Sequence, residues 1–453
     1  SNSWLDVGYG RILQEFLVKY VPIKSIYDNQ AKRSFVHALI NTVIVFFGAP
    51  LIKNSKNPNP TCLDNVAKFI MLKKPYEEVI STQNLITIDN FITDTQSLFG
   101  NTLKTDQFKV YAIKQRDLLE EGIEIRQNKN EMFEDKLSGE YNVSKWGGKY
   151  LRAPDIYFTI LKKGKDKLVR LGDIAEVRRG ITTGGNEFFF IEDVTDKINI
   201  SQIKPRIKNI GDFGNIEKMK EMNLRVVYNR EEDAYWLIEE EFLKPAIKSP
   251  RECKSIIVKV KDLKYKIFMC NKSKRELKGT KAIEYIVWGE KQKYNKRPTC
   301  ASRKYWWNLG ERNKAIINCN YMINEIIRFY FGKYYVSDDF QSIYSSKYEK
   351  SLNLILNSTL IFTFLNILGR SNFGGGLLKI QTSEIANLLI LNPKIFHNYA
   401  NDINIDKLFL SIGNRDIKSI FQELGFDPIK PIREQKPNPL PDRKALDDIV
   451  FDA

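Results

Sequence analysis

Residues 9–48 read YGRILQEFLVKYVPIKSIYDNQAKRSFVHALINTVIVFFG and carry two periodicities in succession. The opening YGRILQEFLVKY has helical spacing, with Ile12, Phe16 and Leu17 on one side,. PIKSIY then reads as a short strand and INTVIVFFG as a long buried strand,. Helix followed by strands is an α/β unit. A further apolar strand, NVAKFIMLKK, follows a Pro/Asn-rich turn at 54–60. The run GAPLIKNSKNPNPTC between the last two strands has hairpin-loop composition, so they are expected to be antiparallel neighbours, an antiparallel edge on an otherwise wound sheet,.

Outward from this unit, residues 76–130 alternate helical and strand-like segments and end in the polar stretch RQNKNEMFEDKLSGE. YNVSKWGGKYLRAPDIYFTILKKGKDK has linker chemistry, which places the main domain boundary between about 140 and 170,. From 171 to 393 the pattern is short aromatic strands, turns and a few helices. One helix is expected over SLNLILNSTLIFTFLNILGR, with Gly369 as its stop,. Beyond it, DINIDKLFLSIGNRDIKSIFQELG reads as helical and DPIKPIREQKPNPLPDR as an extended surface strap,. KALDDIVFDA starts another helix, and there is no internal repeat.

A chain of 453 residues has room for two or three domains, and 43% hydrophobic with 12% aromatic residues excludes a mostly disordered protein,. Lys and Arg number 71 against 55 Asp and Glu, a formal +16 that favours a polyanionic partner, nucleic acid first,. A Lys-, Asn- and Ile-rich composition bias is the plainer source of the same excess. Five cysteines without a Cys-x-x-Cys pair, and two histidines, give no zinc-site spacing; a reducing, cytoplasmic setting is expected,. No apolar run reaches membrane-helix length,. SNSWLDVGYG lacks an initiating Met and a signal, so the chain is expected to be a fragment of something longer,.

The segment 251–314 is the most basic, with roughly three positive residues for each negative one,. Aromatics are threaded through it in YIVWGEKQKYNKRPTCASRKYWWNLGER. Arg303, Lys304 and Tyr305 are candidate nucleic-acid contacts, because cations neutralise phosphates and aromatic faces stack. For Trp306 and Trp307 the better reading is a core anchor.

RRGITTGGNEFFFI, residues 178–191, sets Arg178 and Arg179 against a turn of Thr182, Thr183, Gly184, Gly185 and Asn186. Arginine can grip guanine with two hydrogen bonds, and glycine lets backbone N–H groups approach an anion. GRSNFGGGLLKI repeats the formula with Arg370, Ser371 and Asn372. Either element read alone is as well explained by a hairpin without a ligand. There is no Gly-x-Gly-x-x-Gly loop, Walker loop, Asn-Pro-Pro-Tyr or nuclease carboxylate pair, so no complete catalytic site is present and no metal is expected,.

SNSWLDVGYGRILQEFL with IKSIYDNQAKRSFVHALINTVIVFF resembles the later half of the catalytic domain of adenine-specific DNA methyltransferases of type IIG restriction–modification enzymes. LGDIAEVRRGITTGGNEFFFI, the 285–312 segment and RSNFGGGLLKIQTSEIANLLILNP look like their TaqI-like C-terminal specificity domain, and NPLPDRKALDDIVFDA is similar to their C-terminal segment. The resemblance implies an α/β protein in three parts. Residues 1–150 are the remnant of a Rossmann-like methyltransferase sheet with a linker, 151–393 a mixed α+β target recognition domain, and 394–453 a helical, proline-rich segment. It also implies that Phe35 stacks on a flipped adenine. S-adenosylmethionine is implied for the intact enzyme only, held by a catalytic half in cis or in a separate subunit. Sequence-specific recognition of double-stranded DNA is the expected function, and the rival is a scaffold or general nucleic-acid binder.

Overall fold

The computed structural model describes residues 2–29, 42–52, 57–91, 101–124, 140–141, 144–211, 219, 221–369 and 377–453. They form two compact units, Ser1–Asp166 with Thr363–Ile380, and Lys167–Phe362 with Gln381–Ala453. Both mix helices with sheet, so the chain is a mixed α/β protein.

The first unit is built on five strands: β1 (Ile23–Asn29), β2 (Val43–Phe47), β3 (Val66–Leu72), β4 (Asn101–Lys104) and β5 (Phe108–Lys114), in the order β2-β1-β3-β5-β4. β1 and β3 are parallel and the other pairs antiparallel. The expected hairpin between β2 and β3 does not form, because β1 lies between them. The connection instead runs back along the end of the first helix, where Leu51 N–H donates to Tyr20 O (2.7 Å) and Asn59 N–H to Lys19 O (2.9 Å). It then enters β3 on the far side of β1. β2 is thus an edge strand rather than a buried one, and Ile44 and Phe46 are exposed.

The helix Arg11–Tyr20 also turns a different face inward from the one its apolar residues suggest. Leu17 and Val18 are buried, whereas Ile12 is 72% and Phe16 38% exposed. Gln14 decides the rotation. Its amide donates to Trp4 O (3.0 Å), Leu5 O (3.1 Å) and Ser144 O (3.1 Å), and its oxygen accepts from Ser144 N–H and Tyr141 OH, both at 3.2 Å. A fully satisfied buried amide rigidifies a core, and an unsatisfied one would be costly, so this face turns inward.

Two short strands of the first unit, β6 (Ile123–Glu124) and β7 (Glu140–Tyr141), pair with each other; in the second unit β8 (Leu168–Arg170) pairs with the strand Leu389–Leu391. A six-stranded sheet has the order β12-β11-β10-β14-β13-β18, from β10 (Phe190–Asp193), β11 (Leu224–Asn229), β12 (Ala234–Glu239), β13 (Leu243–Ile247), β14 (Tyr265–Phe268) and β18 (Tyr335–Val336). A four-stranded sheet runs β17-β15-β19-β9, from β9 (Glu176–Arg179), β15 (Ile317–Asn320), β17 (Phe329–Phe331) and β19 (Phe340–Tyr344), with the two-residue β16 (Met322–Ile323) outside it. The helix Lys281–Lys291 presents Tyr285 and Trp288 to the aromatic core around Phe188, whose ring stacks on Tyr285 at 4.6 Å. Trp306 and Trp307 are buried in this core, with indole N–H groups donating to Glu290 Oε1 (3.1 Å) and Lys272 O (3.2 Å).

The helix expected over residues 351–370 is two helices, Glu349–Leu356 and Thr359–Leu368. Asn357 breaks it by exchanging hydrogen bonds with Phe329: its oxygen accepts from Phe329 N–H (3.1 Å) and its amide donates to Phe329 O (3.0 Å). Ser358 Oγ turns back to Ile355 O (2.6 Å). Short polar side chains compete with the helix backbone in this way. The helix expected over 402–425 likewise stops at Asn414 and resumes only at Ile420–Glu423, since Ile417 N–H is committed to Lys254 O (2.9 Å). Among the described residues no single helix is long and apolar enough to cross a membrane.

Candidate nucleic-acid interface

β9 is an edge strand, paired antiparallel to β19 with Arg178 opposite Ser342, Arg179 opposite Gln341 and Glu176 opposite Tyr344. Successive residues on a strand point to opposite faces, so the two adjacent arginines diverge. Arg178 shares a face with Glu176, Ser342 and Tyr344. Its Nε donates to Glu176 Oε1 (2.6 Å), and its guanidinium lies 5.7 Å from the centre of the Tyr344 ring. Arg179 turns the other way, 4.9 Å over the Tyr321 ring, with Nε donating to Asp338 O (3.1 Å).

A cleft of about 250 Å³ opens beside β9. Arg178 and Arg312 line it together with Tyr334, Tyr335, Ser342 and Tyr344; Arg179 also borders it, and Glu311 is its acidic residue. Lys314 sits 5.0 Å over the Tyr335 ring. Tyr344 OH donates to Asn313 O (3.2 Å), which ties the segment carrying Arg312 to β19. Burial raises the Tyr344 phenol pKa, with Arg178 pulling against it, so the hydroxyl remains a donor at neutral pH,.

The Thr-Thr-Gly-Gly turn is a corner packed against the protein at Thr183 and Gly185, with Gly184 half-buried and Thr182 exposed. Thr183 is buried, and its hydroxyl donates to Asn186 Oδ1 and accepts from Gly185 N–H. Gly184 has φ +79°, and a Cβ there would lie 2.7 Å from Thr299 Cβ; one at Gly185 would lie 2.9 Å from the Tyr294 ring. Both glycines are therefore accounted for by close packing against protein. Arg303 closes the corner by donating to Thr182 O (3.0 Å) and Thr183 O (2.7 Å) through Nη2, and to Trp306 O (3.2 Å) through Nη1. Arg303 therefore joins the basic 285–312 segment to the 178–191 stretch. Lys304 is exposed, 5.5 Å from the Tyr305 ring, and Tyr305 stacks on Trp307 at 5.3 Å. Phe35, Arg370, Ser371 and Asn372 lie outside the described residues.

The fold thus brings Arg178 to Arg312, Tyr334, Tyr335 and Tyr344, four side chains that sequence reasoning did not single out. The available signal was the alternation in FQSIY, whose strand β19 places Tyr344 opposite Glu176 of β9. Among the described residues no group of three or more His, Cys, Asp or Glu side chains is placed to hold a metal.

Residues 226–424 match the family model described as the C-terminal domain of the type II methyltransferase M.Eco57I. The chain is 23% identical over 440 residues to the type II methyltransferase M.AccI of Acinetobacter calcoaceticus, an alignment covering 93% of the chain and 64% of that relative. It therefore spans just under two thirds of the curated relative's length. Among the solved structures similar to it are two restriction enzymes. One is the type IIG restriction endonuclease BpuSI, at 13% identity and TM-score 0.36, over 99% of the chain and 46% of that structure. The other is the type IIL restriction–modification enzyme MmeI in complex with DNA, at 12% identity and TM-score 0.46, over 100% of the chain and 46% of that structure.

Proposed function

We propose that the chain is the target-reading part of a site-specific DNA adenine-N6 methyltransferase of a restriction–modification or related phage-defence system, and that its second unit binds double-stranded DNA sequence-specifically. The observation that carries this reading is that the matched region, 226–424, contains Arg312, Tyr334, Tyr335, Ser342 and Tyr344, which frame the cleft with Arg178. Arginines beside aromatic faces suit a phosphodiester backbone and base edges. In this reading the first unit is the end of a Rossmann-like catalytic sheet, and Phe35 faces the flipped adenine.

This reading assigns S-adenosylmethionine to residues other than the glycine turn before the first helix. Gly8 and Gly10 precede the helix Arg11–Tyr20, but a Cβ at Gly10 would lie 2.0 Å from Trp4 O, so that turn is occupied by the protein's own backbone. The cofactor belongs to a catalytic half supplied in cis or by a separate subunit, and methylation is an activity of that assembly.

Selection of bound duplexes from a randomised library, at about physiological salt where non-specific Kd values are about 10⁻⁴–10⁻⁶ M, tests the reading. One enriched short motif containing an adenine is expected. Binding that depends only on duplex length and ionic strength would instead establish a general nucleic-acid binder.

A further inference from the structure

We propose that the cleft beside β9 is a seat for one backbone phosphate of duplex DNA, gripped from two sides by Arg178 and Arg312, and that it does not read base edges. This rests on the DNA-binding function proposed above and assigns the cleft's part in it.

Shape is the first argument. Base edges lie at the floor of a major groove about 8.5 Å deep, so a reading side chain must project from the protein surface. Arg178 and Arg312 instead frame a recess of about 250 Å³ whose lining includes the buried Ala315, Val336 and Ser342. A recess receives a group that projects from the DNA, and the phosphodiester is its outermost charged group.

Charge is the second. Arg178 comes from β9 and Arg312 from a segment far along the chain, so the two guanidinium groups approach a bound anion from separate elements. Lys314, two residues on from Arg312, lies over the ring of Tyr335, which lines the cleft. The acids nearby are Glu311, in the lining, and Glu176, which already holds Arg178. Arg178 and Glu176 are both largely exposed, and exposed pairs of this kind are worth little, so Glu176 yields its place to a phosphate at small cost,.

Buttressing is the third. Tyr344 lies under Arg178 and holds Asn313 through its hydroxyl, so one side chain orients one arginine and anchors the chain beside the other. Arg179 is excluded from the grip by the alternation of β9 and by its hold on Asp338.

Arg178→Ala and Arg312→Ala separate this assignment from base reading. Each is expected to weaken binding to the selected duplex and to a scrambled duplex by the same factor, on the order of three- to ten-fold, and to flatten the plot of log affinity against log salt by about 0.9. The base preferences recovered by selection should not change. A neutral methylphosphonate linkage walked along the selected duplex should cost the unsubstituted chain affinity at one position, and cost either variant less there. Loss of preference at a single base pair on Arg178→Ala, with an unchanged salt slope, would overturn the phosphate seat while leaving DNA recognition standing. An unsubstituted chain that enriches no motif, while Arg178→Ala and Arg312→Ala each flatten the salt plot on any duplex, would remove sequence reading and keep the seat. A chain that binds no duplex removes both.

Discussion

Arg303 donates to the main-chain oxygen of Thr183 across 2.7 Å, joining two stretches of sequence 120 residues apart. The same guanidinium also holds Thr182 O and Trp306 O, so three carbonyl groups of two segments share one side chain. Arg303→Ala should cost about 1.5–3 kcal/mol, since hydrogen bonds to charged groups are worth that much and the carbonyls lose their partner. Arg303→Lys should recover only part of it, because a single ammonium cannot reproduce the fork. Urea melts of the three proteins would check this; equal midpoints would show that the corner stands without the clamp.

Gly180 is the glycine of 178–191 with the least room. A Cβ there would sit 2.0 Å from Ser337 O, while Gly180 N–H donates to Phe340 O and Ile181 N–H to Val336 O, both at 2.9 Å. Gly180→Ala must push this backbone apart and should destabilise the second unit by about 1–3 kcal/mol. Thermal unfolding would read the loss, and an unchanged Tm would mean that the strands separate freely.

Glu423 is fully buried among Arg328, Arg415 and Arg443, with contacts of 2.7, 2.9 and 2.6 Å. Burial alone would raise its pKa, but the hydrogen bond from Arg415 and the charges of Arg443 and Arg328 outweigh it and bring the carboxyl from 4.5 down to about 2. The folded pKa lies below the unfolded one. The carboxylate's stabilisation is therefore complete above pH 4.5 and fades as the pH falls from 4.5 towards 2. Glu423→Gln should cost about 3–5 kcal/mol near neutrality by leaving arginines unpaired in the interior, and its acid titration should be flatter than that of the unsubstituted chain. Parallel titration curves for the two would remove Glu423 from the acid response.

The first helix offers a contrast within one turn. Leu17→Ala should cost about 2–5 kcal/mol, as a buried leucine truncation does, because Leu17 is only 4% exposed. Ile12→Lys and Phe16→Lys should each change stability by less than about 0.5 kcal/mol, because both side chains face outward,. A large loss from Ile12→Lys would mean that the helix is rotated from the orientation described.

Much of the local structure was legible from spacing: the helix Arg11–Tyr20, the strand β1 and the buried placement of Trp306 and Trp307 all follow from patterns in the chain. The inward face of the helix was not, because a count of apolar positions gives Gln14 no weight, whereas its hydrogen bonds outrank the burial of Ile12. The break at Asn357 was hidden for a similar reason: its partner is the backbone of Phe329, 28 residues earlier. Arg312 reaches Arg178 only through the pairing of β19 with β9, and pairing between distant strands has no local signature.

Among the described residues β2 is paired along one edge alone, and Ile44, Phe46 and Phe47 are exposed on it. Such an edge, with its apolar side chains, is a template for one more strand from any chain that offers one. Phe46→Lys is the smallest change that would guard this edge, since a charged side chain on an edge strand discourages a further strand from pairing there.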